Sequence, residues 1–358
     1  MTQAATAGVA VAEDCVTFRL ADPDRELTSV RLLQEVRRPR DEPLFERAGA
    51  EWWATFPRLG VDRMEYQFAL ERADRSTEVV CDPSNPLRAR GPFGEKSVIE
   101  FPGYHAPNWV EREPRDPGEI DEIEIRSITL PARLPVAVWT SPGGARSTAR
   151  PILVVHDGPE YDAYSGLLRF LALAVEDGRV PPMRAALLPP QVDRNQIYSA
   201  SAAYSRALSH EILPALAKAA PAPPGRAARV GMGASLGALA MLHAHRAHPT
   251  AFGALFLQSG SFFRQRFDRQ ESGFVRFRRI SRFVGTVLTA EDWAHPIPVT
   301  MTCGSVEENL ANNGAVAVAL AAQDYDVSLK ERSDAHNWIA WRDVFDPHLV
   351  ALLQKVWT

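Results

Sequence analysis

A serine, a carboxylate and a histidine acting together can transfer an acyl group, and this chain offers all three in an order that suits that chemistry. The first stretch is Arg229-Val-Gly-Met-Gly-Ala-Ser-Leu-Gly-Ala-Leu-Ala-Met-Leu-His243, which runs a short apolar segment into a G-x-S-x-G pentad and an alanine-rich helical stretch. A serine hydroxyl becomes useful when it stands on a sharp strand-to-helix turn, and glycines two before and two after it let the backbones approach. Gly233 and Gly237 fill those places around Ser235. A helix opening at the serine aims its N–H groups and positive dipole end at the reacting centre, so the Leu236 N–H is the expected first oxyanion donor. The bare pentad arises by chance in about one chain in ten of this length. What sets this one apart is context: residues 229–232 read as a buried strand end, and Leu236, Leu239, Ala240, Leu242 and His243 follow at helical spacing.

The serine needs a histidine to take its proton, and the histidine needs a carboxylate to fix its tautomer. On a strand–turn–helix scaffold of this type the chain order is serine, acid, histidine. Of the 9 histidines, only His336 and His348 lie beyond the late apolar run 299–302 that is placed to carry the acid. His348 follows Pro347 at the head of a terminal helix and suits a cap or a surface position, so His336, in Ser-Asp-Ala-His-Asn-Trp, is the expected general base. For the acid, Cys303-Gly-Ser-Val-Glu-Glu-Asn309 sets Glu307 beside Glu308, while Asp324, Asp326 and Asp334 are alternatives that would equally suit a solvated surface. Spacing favours Glu307.

The elements that must hold these groups fall into two regions. From 16 to 101 the pattern is of short strands (16–20, 29–36, 51–56, 64–70, 78–81 and 97–101) separated by turn signals at intervals suited to a β-sandwich. Within it, Trp52 and Trp53 alternate as one core and one rim contact would. Residues 106–118, with Pro107, Pro114 and Pro117, read as a linker between a first domain at 1–105 and a second at 119–358. In the second, 119–130 suits an antiparallel edge strand, and strands at 136–139, 152–155, 185–188, 254–257 and 299–302 alternate with helices near 165–175, 202–217 and 349–356. Such alternation implies a mainly parallel sheet covered on both faces, with chemistry at the carboxyl ends of its strands.

Composition narrows the function. A net charge of −4 and a pI near 6.2 give no global attraction to nucleic acid or to an anionic membrane, so neither is an expected partner. The 3 cysteines match no metal-ligand spacing and fit a reducing compartment. The N-terminal run lacks the basic start of a leader, and no stretch reaches the roughly 20 apolar residues of a membrane span, which together imply a cytoplasmic protein. His243, His245 and His248 have no carboxylate beside them, so neither a metal nor any other cofactor is expected.

Five segments carry a resemblance to the enterochelin (ferric enterobactin) esterase branch of the esterase D-type α/β-hydrolases. They are His156-Asp-Gly-Pro-Glu-Tyr161, Val192-Asp-Arg-Asn-Gln-Ile-Tyr198 with His210-Glu-Ile-Leu-Pro214, Gly233–Gly237 with Leu257-Gln-Ser-Gly-Ser-Phe-Phe263, Gly304-Ser-Val-Glu307, and Ala335-His-Asn-Trp338 with Trp341-Arg342. The resemblance implies an α/β-hydrolase catalytic domain preceded by an all-β, immunoglobulin-like (early-set) sandwich. It also implies a triad of Ser235, Glu307 and His336, an oxyanion hole of Leu236 and Gly158, and Tyr161 and Arg194 at the substrate. The chain departs from the branch at Ile197, where a glutamate is usual, and at Asn337, where an aspartate is.

A local basic cluster adds to this. Arg264, Arg266, Arg269, Arg276, Arg278, Arg279 and Arg282 face only Asp268 and Glu271 in the same stretch, directly after a strand end expected to border the site. Guanidinium groups there, Arg276 and Arg279 foremost, would suit an anionic substrate, while a solvated helix accounts for them equally. The expected activity is ester hydrolysis by serine, leading with an iron-siderophore ester. A feruloyl or acetyl ester of a carbohydrate, or transfer to an acceptor other than water, is the alternative; a non-catalytic binding protein on the same fold is the reading from another class. The oligomeric state is left open.

Overall fold

The computed structural model describes residues 8–37, 44–58, 60–130, 133–143 and 147–358. Residues 1–7 of the N-terminal stretch read above for a leader lie outside the described residues. The chain divides into two compact units, one of Met1–His105 with Gly304–Glu308 and Arg332–Asn337, the other of Ala106–Cys303, Asn309–Glu331 and Trp338–Thr358.

The first unit is built from β1 (Val9–Val11), β2 (Cys15–Ala21), β3 (Leu27–Gln34), β4 (Glu46–Ala48), β5 (Glu51–Pro57), β6 (Arg63–Arg72), β7 (Thr77–Val80), β8 (Arg88–Gly91) and β9 (Gly94–Glu100). They form two antiparallel sheets, β1-β2-β5-β4 and β3-β6-β9-β8, with β7 paired to β6. Period-two alternation drives this: in β2, Val16, Phe18 and Leu20 are buried while Arg19 and Ala21 are exposed. The inward residues make one core, in which Phe18 meets Tyr66 edge-on at 5.0 Å. Trp52 is buried and donates to Asp22 at 3.1 Å, while Arg19 lies over the half-buried Trp53 ring. Strands β4 and β8 lack an apolar alternation, being Glu-Arg-Ala and Arg-Ala-Arg-Gly, and are held by ladder hydrogen bonds to β5 and β9.

The second unit carries, in chain order, β10 (Glu119–Ile125), β11 (Leu134–Thr140), β12 (Ile152–His156), α1 (Gly158–Ser165), α2 (Leu167–Glu176), β13 (Arg184–Leu188), α3 (Arg194–Tyr198), α4 (Ala202–Ala207), α5 (Leu213–Ala219), β14 (Arg229–Ala234), α6 (Leu236–Ala247), β15 (Ala254–Gln258), α7 (Phe277–Thr289), β16 (Pro298–Gly304), α8 (Leu310–Ala322), β17 (Asp326–Arg332), α9 (Trp338–Asp343) and α10 (Val350–Trp357). The strands form one eight-stranded sheet of order β10-β11-β13-β12-β14-β15-β16-β17. The pairs β10–β11 and β11–β13 are antiparallel, and the pairs from β13 through β12, β14 and β15 to β16 are parallel.

Buried side chains along β12 alternate between two cores. Ile152 and Val154 join residues of α4 to α8 on one face, and Leu153 and Val155 join α1, α2 and α10 on the other. A sheet covered on both faces leaves its strand ends as the place for a site.

The stretch 106–118 belongs to the second unit and is tied to it. Trp109 is buried with its ring 5.0 Å from that of Phe170, and Arg112 makes two 2.8 Å hydrogen bonds to Asp177. Its prolines deny it a sheet ladder without leaving it a loose tether. Among the described residues no helix is long and apolar enough to cross a membrane.

Candidate functional site

At the end of β14 the backbone turns through Ser235, whose φ of 55° and ψ of −123° lie far from both strand and helix, and α6 begins at the next residue. A non-glycine residue at positive φ is strained and is kept only where its surroundings fix it. Two hydrogen bonds do so: Ser235 N–H donates to the Gln258 carbonyl at 2.9 Å, and Ser261 N–H donates to the Ser235 carbonyl at 3.1 Å. The glycines act as expected through close approach. A Cβ on Gly233 would lie 2.6 Å from the Gly237 carbonyl carbon, and one on Gly237 would lie 3.2 Å from the His156 Cβ. Ser235 Oγ is 3.1 Å from Ser261 Oγ.

The loop after β12 faces the same region of the second unit. Asp157 has φ 52°, and α1 begins at Gly158, so a second helix start sits beside that of α6. A Cβ on Gly158 would fall 2.4 Å from the Leu187 Cα, so only glycine fits. Beneath the loop, His156 is fully buried. Its Nδ1 is 3.0 Å from the Gly237 carbonyl, which fixes that nitrogen as the N–H donor, and Tyr204 OH donates to Nε2 at 2.8 Å. Burial, against the help of the Gly237 carbonyl, pushes His156 down to about 4, so it stays neutral.

The residues expected as acid and base are paired. His336 Nδ1 donates to Glu307 Oε2 at 2.7 Å, and Gly304 N–H donates to Glu307 Oε1 at 2.7 Å. Glu307 is buried, whereas the Glu308 beside it is exposed. Burial opposes charge on His336, but the Glu307 carboxylate outweighs it through its field and its hydrogen bond, helped by Glu35 and Glu308, and holds the imidazole above its ordinary value. The other carboxylates considered are engaged elsewhere or exposed: Asp334 accepts from Ala335 N–H and Asn337 Nδ2, Asp326 pairs with Lys355, and Asp324 is exposed. The Glu307–His336 pair belongs to the first unit and Ser235 to the second.

The residues expected at the substrate fall differently. Tyr161 is 0% exposed and its hydroxyl donates to Gln258 Oε1 at 2.8 Å, which props the β15 end. Arg194 grips Asp157 with two hydrogen bonds of 2.8 and 2.6 Å and so braces the Gly158 loop. Arg276 donates to the Gln196 side chain, and Arg279 to the carbonyls of Gln196 and Ser199, so both tie α7 to α3, the helix that carries Arg194. His243 and His245, weighed above for a metal, hydrogen-bond Ser205 and Tyr325.

Two further residues shape the Ser235 turn. Ser261 sits in the Gln-Ser-Gly-Ser run already legible in the sequence. Asn313, on α8, accepts from Gly260 N–H and donates to the Gly260 carbonyl, both at 3.0 Å, and no sequence signal announced it. Gln258 completes the frame, donating to the Trp341 carbonyl at 3.0 Å.

A family model described as Putative esterase matches residues 127–352. The curated iron(III) enterobactin esterase of Dickeya dadantii is 26% identical over 283 residues, covering 73% of this chain and 63% of that protein, less than two thirds of its length. The solved enterochelin esterase from Shigella flexneri matches with a TM-score of 0.77 at 21% identity, covering 98% of this chain and 96% of that one. The ferric enterobactin esterase from Salmonella typhimurium gives 0.75 at 20% identity, covering 95% and 94%. At these identities the structural likeness speaks to the fold, and it extends over nearly the whole chain.

Proposed function

The chain belongs to the Putative esterase family, and on that premise we propose that it is a serine hydrolase of carboxylic esters, acting on an iron-loaded siderophore ester. In this reading Ser235 Oγ attacks the ester carbonyl while His336 Nε2 takes its proton. Glu307 fixes the Nδ1–H tautomer and stabilises the imidazolium. The Leu236 and Gly158 N–H groups receive the oxyanion. The C–O bond then breaks, His336 returns the proton to the leaving alcohol, and water repeats the sequence on the acyl-Ser235 to release the acid.

The observation that carries this reading is the Ser235 turn: a serine at φ 55° heading α6, in a bend too close-packed for a side chain at Gly233. An ordinary loop serine has no need of that strain. The Glu307–His336 pair supports the same chemistry, since a buried carboxylate holding Nδ1–H is what a general base requires.

The siderophore substrate rests on the relatives named above and on the arginines of 264–282, where Arg276 is exposed in spite of its bond to Gln196. The iron is part of the substrate, and no cofactor enters the reaction. A cytoplasmic location and an early-set immunoglobulin fold for the first unit belong to the same proposal.

The test compares a ferric tris-catecholate ester with a neutral feruloyl ester at low and high salt. Long-range attraction is screened over about 10 Å at 0.1 M. The expected result is a steep fall in kcat/KM with salt for the anion and little change for the neutral ester. Preference for the neutral ester would favour a carbohydrate or aryl esterase, product formed only with an added alcohol would favour an acyltransferase, and no turnover of any ester would favour a binding protein.

A further inference from the structure

The residues that precede the acid and the base, Val306 and Ala335, are both buried members of the hydrophobic core of the first unit, alongside Val36, Val61, Met64 and Phe101. The backbone is stitched in the same way. Arg37 N–H donates to the Val306 carbonyl at 2.9 Å, Asp62 N–H to the Ser333 carbonyl at 2.7 Å, and Ser305 N–H to the Arg332 carbonyl at 2.7 Å. Between these stitches lies a charge pair that a core of this kind does not need. Arg63, on β6 and 3% exposed, has its guanidinium 3.7 Å from the carboxylate of Asp334, which is 0% exposed and stands two residues before His336.

We propose that the first unit positions the acid and the base, with Arg63 as the positioning residue that holds the His336 loop through the buried Asp334 carboxylate. The proposal rests on the reading of His336 as the general base. Asp334 divides its two oxygens: Oδ1 accepts from Ala335 N–H at 2.7 Å and from Asn337 Nδ2 at 2.9 Å, clasping the loop on both sides of His336, while Oδ2 faces Arg63. A buried carboxylate without a counter-charge would take up a proton or leave the interior, so Arg63 keeps the clasp ionised and in place.

The surrounding charges fit this assignment. Arg63 also lies 3.6 Å from Glu65, and Lys96 bridges Glu65 and Glu35. Burial first, then Glu35, push Glu65 up to about 7 against the pull of Arg63 and Lys96. Glu100 shares the same guanidinium at 3.9 Å but is exposed, so of the three carboxylates around Arg63 the fully buried Asp334 depends most on its charge.

The test uses the full-length chain. The proton shared by His336 Nδ1 and Glu307 is expected to give a far-downfield proton resonance, identified by its loss in His336→Gln. Arg63→Met is expected to shift or abolish that resonance and to lower kcat roughly tenfold to a hundredfold, with KM within about twofold, since a small displacement of a reacting group costs about that much. Arg63→Lys should restore most of both. Asp334→Asn, which keeps the volume and the acceptor for Ala335 N–H, should move the resonance in the same way if Arg63→Met fails to fold. An unmoved resonance in a folded Arg63→Met or Asp334→Asn protein overturns the proposal whatever the activity does. Because the resonance is read without substrate, failure of the esterase reading would show separately, as a wild type that turns over no ester.

Discussion

Replacing Glu307 by glutamine removes one charge 2.7 Å from His336 Nδ1 and leaves the volume unchanged. The His336 side chain is 31% exposed and Glu307 2%, so the pair sits between a surface and an interior environment. With an effective dielectric of about 40 the interaction of two unit charges at that distance is ~3 kcal/mol, equivalent to roughly a hundredfold in rate. That energy stabilises the imidazolium formed when the base takes the serine proton, so it is lost from the transition state and appears in kcat/KM. The same loss has a second signature. Glu307 is the main influence raising His336, so its removal lowers the His336 pKa, and the acid limb of the kcat/KM profile moves to lower pH. In the wild type that limb is expected above the ordinary histidine value. The assay is hydrolysis of a neutral aryl ester across pH, with the fold checked by circular dichroism. A loss under threefold, or an acid limb that does not move, would refute the assignment of Glu307 as the partner of the base.

Arg194→Met removes the two-pronged grip on Asp157. If Arg194 acts through the oxyanion loop, kcat for a neutral ester falls by about tenfold to a hundredfold with KM nearly constant; a selective rise in KM for the anionic ester would instead place Arg194 at the substrate. Acid should destabilise the fold through its buried histidines. His156 and His245 are 0% exposed, and burial foremost pushes them down to about 4 and about 3. Both folded values lie below the unfolded one, so their stability contribution is present above about pH 6.5 and is lost as pH falls toward the folded values. From His156 alone this amounts to about 3 kcal/mol by pH 4. Urea unfolding at several pH values should show a shallower acid decline in His156→Gln than in the wild type, and equal slopes would contradict the buried neutral histidine.

The Ser235 turn was legible because its motif is local: Gly233, Ser235 and Gly237 set it within five residues. Chain order then led to His336, and spacing together with the family pattern led to Glu307. The hydrogen bonds of Tyr161 and Arg194 were not legible because their partners are remote in sequence, Gln258 and Asp157 lying 97 and 37 residues away. Burial of an aromatic on a loop motif looks the same in sequence as its exposure. Helix α8 was hidden by Asn312, Asn313 and Gly314, which suit a loop, and it forms because Val316, Ala317 and Leu320 bury against the sheet. Strand β17, Asp-Val-Ser-Leu-Lys-Glu-Arg, likewise lacks the apolar run of its parallel neighbours, as an edge strand can. Arg63 carries no signal at all, since a buried arginine in a strand is defined by the Asp334 it meets 271 positions later.

The central claim is that Ser235 is the nucleophile, and covalent capture tests it most directly. A fluorophosphonate reacts with a serine activated by a neighbouring base and leaves a stable adduct whose mass and position can be read from peptides. The account predicts a single adduct on the native protein, located on Ser235, absent from Ser235→Ala and formed far more slowly in His336→Ala. A folded wild type that takes no adduct, or an adduct that persists in Ser235→Ala, would contradict it.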